Sequence, residues 1–344
     1  MTPPPTVAKC QATFEAPRTL DVPLASAEKT GLFFKVFERP ILPLSQNCHM
    51  NDEPSLQADV AVDEALRSIA RAILADARAA IADPKRPTAE AVHDFRRHMK
   101  RWRALLRLLG PILGTDGRML RDEARDLARA LGGARDAQSA LDALSDLAGH
   151  GDLSQRSLAT LRNRIDEMRR SAENNTLNGD MRVRLTRALD KATASVELWP
   201  LHSLTFSDLA ERLTSGYRAA RNALPGRFSD ANGVELHELR KRIVAHRHQM
   251  EIVAPLWRRF GKMWIGEAQR LRDRLGKHQD LLLLTRMTEP GGPLARWQTR
   301  LMPAIEERAS YHIRAARRLA RRLFVDKPKA FRRRLEVMGE TAGK

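Results

Sequence analysis

Aromatic residues make up only 5% of this 344-residue chain: five Trp, two Tyr and ten Phe. So few aromatics, alongside 19 Gly and 18 Pro, argue against an all-β protein, whose strands draw on aromatic and β-branched side chains. Cysteine is nearly absent. Cys10 and Cys48 form no CxxC pair and no disulfide framework, which suits a reducing cytoplasm. No apolar run approaches the roughly 18 residues of a membrane-spanning helix. Met1–Pro5 leads into no basic n-region with an apolar stretch, so no secretory signal is expected. A P-loop, an HExxH pair, a Cys/His cluster and helix-turn-helix or RNA-binding signatures are all missing, which removes the recognisable nucleotide, zinc and sequence-reading classes.

Arginine is what the chain has in excess, 48 against 12 Lys. Lys and Arg total 60 against 42 Asp and Glu, a net charge of +18, so a polyanion is the first class of partner to consider: nucleic acid, anionic membrane or polyphosphate. At 42% hydrophobic and 30% charged the chain is able to bury a core, and its length allows one large or two medium domains.

Residues 1–55 stand apart, with eight Pro, both Cys, no periodicity and a net charge of −1, which leaves +19 on the rest. They read as a mostly unstructured N-terminal extension. Met50, near its end, is a candidate start codon, and the Phe33, Phe34, Phe37, Ile41 and Leu42 stretch within Gly31–Leu44 is a candidate docking peptide. From Leu56 onward the apolar period is helical, as in Val62, Ala65, Leu66, Ile69, Ile73 and Ala77. Long helices are expected over about 59–81, 88–109, 117–148, 153–174, 179–196, 205–223, 233–253, 260–288 and 294–324, with Pro and Gly clusters between them. The fold class is therefore all-α. The domain spans 56–338, with halves at about 56–200 and 201–338 and a tail at 339–344.

The halves follow from an internal repeat. His93 and His237 lie 144 residues apart, and without a gap Arg96 matches Arg240, Arg103 matches Arg247 and Pro111 matches Pro255. Gly117, Met119, Glu123, Ala124 and Leu127 match Gly261, Met263, Glu267, Ala268 and Leu271; Leu131-Gly132 match Leu275-Gly276; Asp136 matches Asp280. Composition bias produces scattered matches, whereas a constant register that keeps a Pro and two Gly predicts two homologous helical halves related by a pseudo-twofold axis.

The repeated helix is two-faced. At about 100° per residue, Arg96, Arg97, Lys100, Arg101, Arg103 and Arg107 fall within about 80° of His93, while Phe95, Met99, Trp102, Leu105, Leu106 and Leu109 fill the other side. His98 falls at the edge of the apolar face. In the second copy His237, Arg240, Lys241, Arg247 and His248 share a side, with Val244 in place of Lys100 and Glu251 in place of Arg107. A solvated basic face usually interleaves acids at i,i+4, but Arg96–Arg107 contains none, so its cations repel unless an anion neutralises them. Arginine's planar fork suits phosphate oxygens. Arg121, Arg125, Arg129 and Arg135 extend the charge with acids interspersed, and Arg314, Arg317, Arg318, Arg321 and Arg322 lie near the C-terminus.

The segments VHDFRRHMKRWRALLRLL (Val92–Leu109) and LARALGGARDAQSAL (Leu127–Leu141) resemble the first half of a CHAD domain, the conserved-histidine α-helical domain. LHELRKRIVAHRHQMEIV (Leu236–Val253) and LRDRLGKHQDLLLL (Leu271–Leu284) resemble its second half, and Arg321–Glu336 its C-terminal end. The resemblance implies two four-helix bundles around a basic surface, binding of inorganic polyphosphate, often at polyphosphate granules with their proteins, and no established catalysis. It carries the family's histidines to His93 and His237 and its basic face to Arg96, Arg97, Lys100, Arg103, Arg240, Lys241 and Arg247. The Arg before the Asp is kept as Arg135 but is Gln279 in the second copy. With Arg107, Arg125 and Arg129 from the charge pattern, these form the expected polyphosphate site, with no catalytic residue, metal or cofactor. The CYTH signature often fused to such domains is absent.

Two other classes stay open. A nucleic-acid or general polyanion binder would share the charge, but stacking aromatics do not interleave the basic face. A metal-dependent phosphate-processing enzyme would need paired carboxylates or a histidine pair. His246 and His248 are i,i+2 and face apart, and Asp94, Glu238, Asp136 and Asp280 neighbour cations or amides, as salt-bridging or orienting acids would.

Overall fold

The computed structural model describes residues 56, 60–132, 135–148, 153–173 and 177–342. Over them run eleven α-helices, two 3-10 turns and no strand, so the protein is all-α. The expectations for residues 1–55, both Cys and the docking peptide included, lie outside the described residues.

The helices begin and end where local chemistry dictates. α1 (Val62–Ala82) buries Leu66, Ile69, Ile73 and Ala77 and stops at Asp83-Pro84; α2 (Thr88–Leu108) starts after Pro87. α3 (Gly110–Ala130) contains Gly114 at φ 56, a left-handed kink that glycine accommodates. α4 (Arg135–Leu147) and α5 (Gln155–Glu173) follow, then α6 (Gly179–Glu197), capped by Asn178. α7 (Phe206–Asn222) and α8 (Gly233–Val253) each open on a capping box, Thr205 with Asp208 and Asn232 with Glu235. A 3-10 turn at Ala254–Trp257 leads into α9 (Arg258–Thr288), and another at Ala295–Trp297 into α10 (Gln298–Leu323). α11 (Pro328–Thr341) completes the chain and carries the 339–344 boundary residues as far as Thr341.

Two helix expectations are corrected. The stretch 117–148 is two helices, because Leu131-Gly132 leaves helical geometry. α11 was not anticipated as a separate helix, although Pro328 at its first turn is an N-terminal signal.

α2 and α8 pack on each other at the centre. α2 is flanked by α1 and α3, α8 by α7 and α9, and α6 closes on α1. Gln249 Nε2 donates to the Ala104 carbonyl at 3.1 Å and ties α8 to α2. One apolar cluster unites these helices with the end of α10 and with α11, where Tyr217 stacks on Phe331 at 4.2 Å. α4 and α5 belong to a second cluster, in which Ala140, Leu144, Leu161 and Ile165 meet Leu281, Leu284, Leu301 and Ile305 of α9 and α10. The division between cores therefore does not follow the halves at 200/201: α4 and α5 leave α1–α3 and pack on helices of the other half.

Candidate anion-binding surface

The repeated arginines lie against the repeated Leu-Gly pairs. Arg96 of α2 donates to the Leu131 carbonyl at 3.1 Å, and its Nη1 lies 3.8 Å from where a Cβ on Gly132 would stand. Arg240 of α8 repeats this over Gly276, whose Cβ would meet Nη2 at 3.3 Å and Nε at 3.4 Å. Each guanidinium thus lies against the Leu-Gly pair of its own half, closely at Gly276; at Gly132 it is the Arg129 carbonyl, 2.8 Å from where a Cβ would stand, that excludes a side chain.

Past these anchors the cations converge. Lys100 is surrounded by Arg272, Arg240, Arg96 and Arg135, and desolvation followed by these like charges pushes its ammonium down from 10.5 to about 7. The side chain remains exposed, so an anion has access to it. Desolvation, then Arg272 and Arg135, lowers Arg240 to about 10 against the pull of Asp280 and Asp273. Desolvation, then Arg135, lowers Arg96. One turn further along α2, desolvation and then Arg107, Arg125, Arg121 and Arg129 lower Arg103, whose buried Nε has no hydrogen-bond partner. Arg107 is lowered by desolvation, then Arg121 and Arg242, with Glu238 opposing. Among the described residues no carboxylate pairs with Lys100, Arg103 or Arg107.

The other expected residues divide. Arg97 is exposed, 3.9 Å from Asp94, which Arg86 also holds at 2.5 Å. Arg125 pairs with Asp122 at 3.0 Å and Asp126 at 3.1 Å, and Arg129 sits 3.6 Å from Asp126. Arg135 and His93 are exposed. His237 Nδ1 accepts from Gln279 Nε2 at 2.5 Å, and Gln279 Oε1 accepts from Arg240 at 3.2 Å. Lys241 donates to Glu238 at 2.7 Å. Arg247 does not join the converging cations: it binds Glu251 at 2.6 Å and the His248 ring, and Arg101 lies 4.0 Å from the same carboxylate. His248, expected on the basic side, is buried, bonded to Glu251 at 2.8 Å and lowered by desolvation. His98 is buried 3.6 Å from Asp76, and desolvation pushes it down to about 4.

Arg272 and Arg242 were missed. Arg272 was findable: with Gly276 and Gln279 it forms an i, i+4, i+7 row on α9, so it shares their face. Arg242 gave no such signal, since its register equivalent is His98. Among the described residues, no three His, Cys, Asp or Glu side chains group to hold a metal, and no helix is long and apolar enough to cross a membrane.

The family model of the CHAD domain matches residues 64–289, well over half the chain. The chain belongs to the CHAD family. The CHAD domain of the plant Ricinus communis, known from a crystal structure, is similar in fold at 19% identity and a TM-score of 0.54, over 83% of this chain and 94% of the plant one. No curated protein matches the chain. The CHAD match contains α2, α8, both histidines, both anchoring arginines and both glycines, and ends at Glu289 before α10.

Proposed function

We propose that this CHAD protein binds inorganic polyphosphate along α2 and the adjoining faces of α3, α8 and α9, in the cytoplasm and at polyphosphate granules, as a binding protein without catalysis of its own. The observation that carries the reading is the convergence of Lys100 with Arg272, Arg240, Arg96 and Arg135, with no carboxylate among the described residues pairing with Lys100. Such a cluster is unfavourable alone and is relieved by a dense row of negative charge. Polyphosphate supplies one charge per phosphate, and its binding to guanidinium groups is largely counterion release. Phe95 and Trp102 are buried, so this face has no aromatic platform for bases, which favours polyphosphate over single-stranded nucleic acid. Asp94 and Glu238 are engaged by Arg86 and by Lys241 and Arg242, which suits acids that orient cations.

A competition titration tests the reading. Labelled long-chain polyphosphate is bound to the full chain at about 150 mM salt and challenged with single-stranded DNA and heparin at matched charge. Polyphosphate is expected to survive a large excess of both. Displacement by DNA or heparin at equal charge overturns the assignment in favour of a general polyanion binder.

A further inference from the structure

A cavity of about 190 Å³ opens where α7, α8 and α2 meet, with Arg107, Arg242 and Glu238 among its walls and His246, Gln249 and Gly216 at its inner end. His246 and Gln249 are 1% and 2% exposed. Neither ring nitrogen of His246 has a hydrogen-bond partner in the protein, nor has Gln249 Oε1. The Gln249 amide is fixed, because its Nε2 donates to the Ala104 carbonyl at 3.1 Å. Its free oxygen faces α7 at Gly216, where a Cβ would collide with it and would lie 3.4 Å from His246 Nδ1. Buried polar atoms are normally paired, and a methyl at 216 would force the Gln249 amide out of its place at the inner end of the cavity.

The lining is mixed in a way that selects its ligand. Arg107 and Arg242 donate. Gln249 Oε1 accepts, as does Glu238, whose carboxylate is also bound by Lys241 at 2.7 Å and Arg242 at 3.0 Å. Burial holds His246 down at about 3, so the ring is neutral and offers one donor and one acceptor. A fully ionised oxyanion satisfies the arginines but has no hydrogen for the amide oxygen or the carboxylate. A phosphate that keeps one hydroxyl satisfies both sets. Interior units of a phosphate chain have no such hydroxyl, whereas orthophosphate and the terminal unit of a chain retain a last proton that is lost only around neutral pH.

We propose that this cavity is a pocket for a hydroxyl-bearing phosphate, supplied as orthophosphate or as the end of a phosphate chain lying on the adjoining basic surface. The inference rests on the polyphosphate reading above, since Arg107 belongs to both surface and pocket.

The test is calorimetric titration of the full chain with pyrophosphate, cyclic trimetaphosphate and orthophosphate. Pyrophosphate and the ring carry similar net charge near neutral pH, but the ring has no chain end. Pyrophosphate is expected to bind at least about tenfold tighter than the ring, and Gly216→Ala to abolish that preference. Arg242→Gln, at a partly exposed position, is expected to weaken pyrophosphate more than the ring and so to shrink the preference, which covers the case in which Gly216→Ala fails to fold. Orthophosphate binding as well as pyrophosphate identifies the free ion as the ligand; pyrophosphate alone identifies the chain end. Equal binding of pyrophosphate and ring, or a preference that survives both substitutions, overturns the pocket. Long-chain polyphosphate is titrated in parallel: its retention under that result leaves the surface reading intact, and its failure to bind overturns the surface reading instead.

Discussion

α2 and α8 share a register, a length and a central position, yet their cations are in different states. On α8, Arg240 bonds Gln279, Lys241 and Arg242 pair with Glu238, and Arg247 pairs with Glu251. On α2, no carboxylate among the described residues pairs with Lys100, Arg103 or Arg107, and the charges that act on them are further cations, with Glu238 opposing only at Arg107. The cations of α8 share acceptors within the protein, whereas these three of α2 do not. A repeated motif therefore need not mean a repeated role: on the reading proposed above, α8 supports, while α2 carries the demand for an anion.

The sharpest way to break that contrast is to neutralise each helix in turn. Lys100→Gln with Arg103→Gln and Arg107→Gln is expected to cost about a hundredfold in polyphosphate affinity and to reduce the salt slope by about three. Lys241→Gln with Arg242→Gln and Arg247→Gln is expected to cost about tenfold or less, because those cations already share carboxylates. Affinity measured across a salt series, with helicity followed by circular dichroism, decides it. Equal losses from two folded variants would make the helices equivalent.

A smaller effect is expected from exchanging the one residue that most separates the halves. Arg135 repels Arg96, Lys100 and Arg240, whereas Gln279 at the matching position bridges His237 and Arg240. Arg135→Gln is expected to lower affinity about threefold without lowering the thermal midpoint. Gln279→Arg is expected to raise affinity by a similar factor and to lower the midpoint, because Arg240 loses its acceptor and gains a like charge beside it, at a cost of about 1–3 kcal/mol. A Gln279→Arg variant that keeps its midpoint would show the bridge to be incidental.

The sequence made much of this legible because the relevant physics is local. An amphipathic period places Lys100, Arg103 and Arg107 on one face and Trp102 and Phe95 on the other, and both aromatics are indeed buried. The i,i+4 spacing of Arg247 and Glu251 carries the signal of their ion pair, although the repeat register placed Arg247 with the basic face. What stayed hidden depends on which helix packs on which. Periodicity shows that α4 and α5 have an apolar face, but not that the face meets α9 and α10. Arg272 reaches Lys100 only because of how α9 lies beside α8, and the Arg96–Gly132 contact was visible as two recurring residues without the reason that joins them.

The finest test reads a single proton. Lys100 is lowered from 10.5 to about 7 by its surroundings, so in the free protein it is largely neutral a unit or more above that value. A depressed lysine also opposes folding when charged: that penalty is absent at pH above 10.5, grows as pH falls toward 7 and is complete below it. A polyanion laid across the cluster reverses the cause, since negative charge favours the ammonium. Binding at pH 8.5 is therefore expected to take up most of one proton, and binding at pH 5.5 none through this group, because the lysine is already charged there. Titration calorimetry in buffers of different ionisation enthalpy measures the uptake directly. Lys100→Gln is expected to remove it, while Lys241→Gln on the satisfied helix is expected to leave it in place. Uptake that persists without Lys100 would move the open charge to another residue, and the contrast between α2 and α8 would have to be redrawn around that residue.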